Sequence, residues 1–559
     1  MPTGMKQFLP KSTPTSMVNE TGRDYTDELE RTGRRPEPED AEKMLLSEIR
    51  LRIIQRNNTA DKNDRFPIPS RLYTSSIAQL MNTIDTVRVV GLVDGAYGKD
   101  YNLLALYQEE GRYKGLYTTD EDTINNRILR YSRNISMREV ADVREQLRAI
   151  APHVKRCSDP DLVAVGNGIF DYKNKKLLPF SPDFVFLSKL STDYNPNAQN
   201  VKIVMPDGVE WDCEWQLDSL ADDPEMREFI RQCIGAMVRP NVPWDKAVLA
   251  YSTEGSNGKG TLAAIMRAIT GPDFYASIPI AAFGKDFMLE PLVSRQAIIV
   301  DENDVGAYID SSSNFKAAIT GDILHVNRKY KQPVNVQFRG FVYECINELP
   351  RMQDRSQSML RRLIIAPFEK SFEGQERKYI KEDYIERQDV REYYLRMALE
   401  SDFYELDEPK ACIAAKDIFK TYNDPVRDFF ESVLDPNAVW QKVPLGFAYE
   451  LFKSWFTLEH PSGKVMSSAK FRIELAGIAE KSGRWSCPDP QKVVHIADDE
   501  MAGTEPLIIE YGLDKYKSKT YRGADVDKVC NFTRPKTVRG CLVRTGARPT
   551  QAEQEAGND

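Results

Sequence analysis

The sequence predicts an α/β phosphate-binding core, with an α+β domain before it and a helical domain after it. Three observations predict this. First, the apolar run Ala247 to Tyr251 leads into Gly255-Ser256-Asn257-Gly258-Lys259-Gly260-Thr261, and then Leu262, Ile265, Met266 and Ile269 recur at helical spacing. Strand, glycine loop, lysine and helix are the context in which backbone N–H groups converge on phosphate. Second, the apolar run Ala297 to Val300 ends in Asp301-Glu302, a second apolar strand with carboxylates at its tip. Third, 559 residues exceed what one core supports, and 41% apolar residues suffice for several.

The net charge of −8 argues against a uniformly basic nucleic-acid coat, but not against local basic patches. Eight cysteines stand without a C-x-x-C pair, and only four histidines are present. That spacing disfavours zinc and suits a reducing cytosol. No apolar run reaches the ~18 residues of a membrane span, and the N-terminus has no signal-like apolar region. Membrane partners are therefore not expected.

In chain order, residues 1–69 read as a flexible arm, disordered to about residue 38, with one helix opened by Pro38-Glu39-Asp40 and a linker from Asn57 to Pro69. Residues 70–224 read as an α+β domain. A hairpin spans Tyr101 to Tyr117, a helix pair spans about Thr119 to Ile150, and a second hairpin lies at Leu162 to Tyr172, with turn residues Lys173 to Lys176. Asp120, Glu121 and Asp122 read as a first helical turn that favours the dipole, behind possible caps Thr118 and Thr119. No paired-carboxylate strand for polymerase metals is evident there.

Residues 225–370 hold the loop and its companions. Alternating residues on both sides of Arg328-Lys329-Tyr330-Lys331 predict a hairpin with a basic, aromatic tip suited to a phosphodiester strand. Phe341 to Ile346 predicts a strand that ends at the polar Asn347. Arg361-Arg362 precedes another apolar strand. Residues 371–423 read as a charged helical connector. From 424 to 545 a helix around Phe447, Leu451 and Trp455 is followed by the breaker Pro461 to Lys464. A second helix carries Phe471, Leu475 and Ile478, and a strand covers Val493 to Ala497. Tyr511 to Arg544 carries nine Lys/Arg against three Asp. Residues 546–559 read as a disordered tail.

The ordered set of P-loop, Asp-Glu strand, K-x-x-x-T-G-D at Lys316 to Asp322, basic hairpin, N-x-L-P at Asn347 and Arg-Arg before a strand resembles the superfamily 3 helicases. The likeness is nearest to their phage/plasmid and poxvirus-type primase–helicase branch, and it covers about residues 100 to 545. It implies an AAA+-like ATPase core with a C-terminal winged-helix domain. It also implies a ring, expected to be a hexamer, that draws single-stranded DNA from a fork or origin duplex in a bacterial host's cytosol. By motif match, Gly255 to Thr261 would bind ATP, with Lys259 on the β- and γ-phosphates. Asp301 would serve Mg²⁺, Glu302 the attacking water, and Asn347 the γ-phosphate. Arg361 or Arg362 would act in trans, and Arg328, Lys329, Tyr330 and Lys331 would meet DNA.

Two positions depart from the usual loop. Thr253 stands where its first glycine belongs, and Gly260 where a Ser or Thr would ligate Mg²⁺, which leaves that role to Thr261 or to water. Other readings stay open: a bifunctional primase–helicase, a DNA-binding initiator that uses the P-loop only as a switch, and a small-molecule kinase. Glu302 speaks against a pure switch. The basic hairpin, the arginine pair and the C-terminal helices have no role in a kinase.

Overall fold

Residues Pro14–Thr32 form a helix, where composition predicts an unstructured arm. Thr13 and Ser16 cap it reciprocally, and Gly33 ends it in a left-handed conformation. Its buried face holds three large apolar residues, Val18, Tyr25 and Leu29, and is completed by Thr21, Gly22 and Thr26. Small polar residues on a packed face hide the helical period from a hydrophobicity reading. The computed structural model describes residues 13–96, 98–303, 308–309 (backbone), 312–352, 356–459, 465–487, 489–497, 500–501, 503–530 and 534–546. Residues 1–12, the breaker Pro461 to Lys464 and the tail beyond residue 546 lie outside them.

The chain divides into two units. In the first, the helices Pro14–Thr32, Pro38–Thr59, Thr74–Ile84, Glu121–Tyr131 and Met137–Ile150 share one core with a four-stranded sheet. The sheet order is Tyr117–Thr118, Asn102–Tyr107, Val87–Gly91, His153–Lys155. The predicted hairpin at 101–117 is present as an antiparallel pair with a very short second strand. The predicted helix pair is present too. Its first N-cap is Asp120 itself, whose carboxylate accepts from Thr123 N at 2.9 Å, rather than Thr118 or Thr119. The segment at 162–178 is a three-stranded meander, with a turn at Gly166-Asn167 as well as the one before Lys176.

The same unit contains a five-stranded, all-parallel sheet, in the order Tyr275–Ala276, Ala297–Val300, Phe341–Ile346, Ala247–Tyr251, Leu363–Pro367. Ala247 to Ala250, Ala297 to Val300 and Phe341 to Ile346 are buried throughout, as continuous apolar strands covered on both faces require. The basic segment is the predicted hairpin, Ile323–Val326 paired with Val334–Gln337. Of the expected connector 371–423, residues 371–411 belong to this first unit and 412–423 to the second.

The second unit comprises residues 304–312, 348–361 and 412–559. Its core is aromatic, with Phe429, Phe452, Trp455 and Phe471 in mutual ring contact. Helices Leu445–Glu459 and Ser468–Lys481 pack there. The first begins directly after Lys442–Pro444, a strand of a three-stranded sheet with Cys541–Arg544 and Trp485–Ser486. The predicted strand at 493 pairs Val493–His495 with Thr537–Arg539. The buried Asp435 ties this unit together by accepting from Trp485 Nε1 at 2.7 Å and pairing with Arg484.

Candidate nucleotide site and nucleic-acid interface

Three neighbouring strands of the parallel sheet end together, and the glycine loop with Lys259, the pair Asp301-Glu302, and Asn347 follow those ends, whereas Arg362 precedes its strand at the opposite edge. The strand Ala247–Tyr251 runs into the glycine loop, and Gly258 adopts a left-handed φ of 88° to start the helix Lys259–Thr270. A side chain at Gly258 would also strike Leu220 at 2.4 Å. Ser256 takes a positive φ of 54° without being glycine. In the register of the sheet, Tyr251 lies beside Ile346, and Ser252 N–H donates to Ile346 O at 3.3 Å. Asn347 therefore leaves its strand where the loop begins, and it is exposed. On the other side Val300 pairs with Glu344, which places Asp301 at the same edge.

Lys259 is 5% exposed, and its ammonium is 3.5 Å from Ser252 O. Burial pulls it below its ordinary value, opposed by the neighbouring Cys345 and Asp301. The buried Tyr343 hydroxyl donates to the carbonyl of Lys259 at 3.4 Å and braces the first turn of the helix. Asp301 pairs with Arg267, two turns along the same helix, at 3.0 Å. The Asp301 carboxylate also lies against Gly260, where an added Cβ would stand 2.6 Å from its Oδ1 and 2.9 Å from Lys381 Nζ. Glu302 is exposed and Thr261 is half-buried. Asn303 closes the strand end. Its Nδ2 donates to Glu344 Oε2 at 2.9 Å and to Cys345 O at 3.0 Å, while its Oδ1 accepts from Ile280 N at 3.1 Å. Glu344 is fully buried, and burial pushes its carboxyl up to about 8.

The stretch from Phe368 into the expected connector folds back over the loop. Phe368 N–H donates to Tyr251 O at 2.8 Å, and Phe372 N–H to Ser256 O at 2.7 Å. The Ser256 hydroxyl donates to Glu376 at 2.7 Å and holds that carboxyl below its usual range. Lys381, on the turn Ile380–Tyr384, reaches Gly260. Arg267, Glu376 and Lys381 are thus site residues that sequence reading misses. Arg267 follows Lys259 by eight positions, two helical turns, which is the one signal that links it to the loop. Arg362 opens the strand Leu363–Pro367, and its carbonyl accepts from Ala247 N at 2.8 Å. Arg361 lies in the second unit, exposed at the C-cap of the helix Gln357–Leu360.

The tip of the basic hairpin is not uniform. Arg328 has a side chain only 9% exposed and lies 3.8 Å from Glu290. Tyr330 is 95% exposed in a left-handed conformation, φ 60°, with Lys329 Nζ 5.3 Å from its ring centre. Lys329 and Lys331 are exposed on either side of it.

Three family models match the chain in succession. "D5 N terminal like" covers residues 119–235, a family of unknown function (DUF5906) covers 250–362, and "Poxvirus D5 protein-like" covers 421–491. The two D5-like matches support a viral or phage replication protein of the primase–helicase type. The middle match spans the glycine loop, the Asp-Glu strand, the basic hairpin and both arginines. Among solved structures the chain is similar to "The A form apo structure of NrS-1 C terminal region-CTR(305-718)". That pair is 12% identical, covers 82% of this chain and 96% of that one, and has a TM-score of 0.39. It is also similar to "The apo structure of NrS-1 C terminal region (305-718)", 12% identical over 74% of this chain and 95% of that one, with a TM-score of 0.38. Among the described residues no helix is long and apolar enough to cross a membrane.

Proposed function

We propose that this chain is an ATP-driven, ring-forming DNA helicase of a phage, plasmid or related mobile element, and that its C-terminal unit also recognises the replication origin. One observation carries the reading: the glycine loop that leads to Lys259, Asp301 and Asn347 follow the ends of three adjacent parallel strands. Ligands of open parallel sheets bind at such strand ends.

The residues present fit a nucleoside triphosphate with Mg²⁺. Gly255 has open space around it, and the left-handed Gly258 starts a helix without a side-chain cap, whose first N–H groups would meet the phosphates. Lys259 is held in place by burial and by few competing bonds. Asp301, with Thr261 or water, would hold the metal, which when bound neutralises charge on the phosphates. Gly260 has no side chain to offer as a ligand, and the Asp301 carboxylate lies against it. Glu302, exposed at the same edge, is free to take a proton from an attacking water. Asn347 marks the γ-phosphate position beside the loop, and Arg361 or Arg362 reaches a neighbouring subunit's nucleotide. Lys329, Tyr330 and Lys331 contact the DNA strand that the ring draws through.

Replacing Glu302→Gln and measuring ATP hydrolysis with and without single-stranded DNA tests this. The reading expects a loss of DNA-stimulated turnover of about a hundredfold or more, as removal of a general base brings. Turnover unchanged by the substitution would favour a nucleotide switch. The D5-like match at 119–235 supports a second reading equally, a bifunctional primase–helicase. Synthesis of labelled primers on a single-stranded template would establish that activity.

A further inference from the structure

One cleft in the first unit takes its walls from distant parts of the sequence. The helix Met137–Ile150, the start of the helix Glu121–Tyr131 and the turn at Lys99 form one wall. The hairpin tip from His325 to Val334 forms the other. The space between them is 640 Å³, within the range of ligand pockets. The base of the hairpin is fixed to the N-terminal domain at the ends of the strands Val87–Gly91 and His153–Lys155. Gln337 N–H donates to Leu92 O at 3.1 Å, Asp94 N–H donates to Gln337 Oε1 at 2.9 Å, Arg156 donates to Gln337 O at 2.7 Å, and Arg339 pairs with Asp94.

The cleft is cationic. Arg144 and Arg148 stand one turn apart on their helix, while Val140, Val143 and Leu147 are buried in the core. Lys99, Arg328 and Lys331 join them, against the carboxylates of Asp100, Glu121 and Glu145. Arg144 pairs with Glu121. Lys99 and Arg148 lie 3.4 Å and 3.8 Å from Glu145. Both arginine side chains keep about a quarter of their surface exposed, 25% and 28%, so their outer nitrogens can exchange a carboxylate for a phosphate oxygen. Lys331 is exposed, with Asp120 and Glu121 near enough to feel its charge, and Tyr330 offers an uncovered ring at the rim. Cations with one free aromatic suit a single strand.

We propose that this cleft holds the phosphodiester backbone of single-stranded DNA, with Arg144 and Arg148 gripping it opposite Lys331 and Tyr330. This rests on the DNA half of the proposed function and extends the DNA path from the hairpin to the N-terminal domain. The test is fluorescence anisotropy of a labelled oligo-dT with the full chain, in wild type, in Arg144→Gln with Arg148→Gln, and in Lys329→Ala with Lys331→Ala. Both double variants are expected to bind at least about tenfold more weakly, with the salt slope shallower by ~0.7 for each phosphate no longer neutralised. Wild-type or tighter binding by the arginine variant, with weakened binding by the hairpin variant, overturns the cleft and leaves the hairpin's role standing. Full binding by both variants overturns the hairpin's role as well. Should the arginine variant melt early by circular dichroism, photocrosslinking of wild type to a 4-thiothymidine oligonucleotide decides. Adducts within residues 137–150 are expected, and their absence overturns the proposal.

Discussion

The carboxylate of Asp301 occupies the space that a side chain on Gly260 would fill, with its Oδ1 2.6 Å from the position of the missing Cβ. A side chain on Gly260 would have to displace the ends of two other side chains, the Asp301 carboxylate and the Lys381 ammonium. Glycine inside a helix costs about 1 kcal/mol relative to alanine, so a helix-forming residue there would otherwise be favoured.

Restoring the usual residue is thus expected to harm the site. Gly260→Thr should displace Asp301 and Lys381 and lower kcat for ATP by about tenfold or more, a 1 Å misplacement being enough for such losses. Steady-state hydrolysis assays check this, and a more active Gly260→Thr variant would contradict it.

Arg267 and Asp301 form an ion pair that is about one-third exposed, with side chains 28% and 38% accessible. Such a pair contributes at most about 1 kcal/mol to stability. Its electrostatic effect on a cation is larger, because the guanidinium cancels charge that Asp301 would offer. In Arg267→Gln the half-saturating Mg²⁺ concentration should fall by several-fold while the melting temperature changes by only a few degrees. A rise in the Mg²⁺ requirement would show instead that Arg267 is needed to orient the carboxylate.

Glu376 places a carboxylate 2.7 Å from the Ser256 hydroxyl at the rim of the loop. A triphosphate arriving there meets like charge. Glu376→Gln keeps the hydrogen bond and removes the charge, so the KM for ATP should drop by about two- to fivefold with kcat little changed. The effect should shrink as salt is raised.

Glu344 makes the pH dependence of stability run opposite to that of an ordinary carboxylate. Burial raises its folded value from 4.5 to about 8, so the native state holds the proton that the unfolded chain releases. Its contribution is complete below about pH 4.5, declines as the pH rises towards 8, and is lost above that. Glu344→Gln mimics the neutral acid. Urea unfolding should find the variant close to wild type at pH 5 and more stable at pH 9, by on the order of a few kcal/mol. Equal stabilities at pH 9 would contradict a protonated Glu344.

Elements with a strong period or a distinctive punctuation were legible from the residues. The strand Ala247–Tyr251 with its glycine loop, the helix pair at 121–150 and the basic hairpin all stand where pattern places them. The N-terminal helix was not legible, since Thr21, Gly22 and Thr26 fill positions on its buried face. Nor was the covering segment from Phe368 to Lys381. It touches the loop largely through backbone N–H groups and polar side chains, which leave no hydrophobic signature. The environment of Arg328 was hidden for a similar reason, because its partner Glu290 lies far back in the sequence. Motif spacing brought out Lys259, Asp301 and Asn347, while Arg267, Glu376 and Lys381 depend on how helix and loop close around them.

The central claim is that ATP hydrolysed at Lys259 and Asp301 drives separation of DNA strands. Its most direct measurement is unwinding of a fluorescently labelled forked duplex, with ATP and Mg²⁺, by the full chain and by Lys259→Ala. The account predicts ATP-dependent release of the labelled strand by wild type and none above background by the variant. Strand release by Lys259→Ala at the wild-type rate, or none by wild type that hydrolyses ATP, would contradict it.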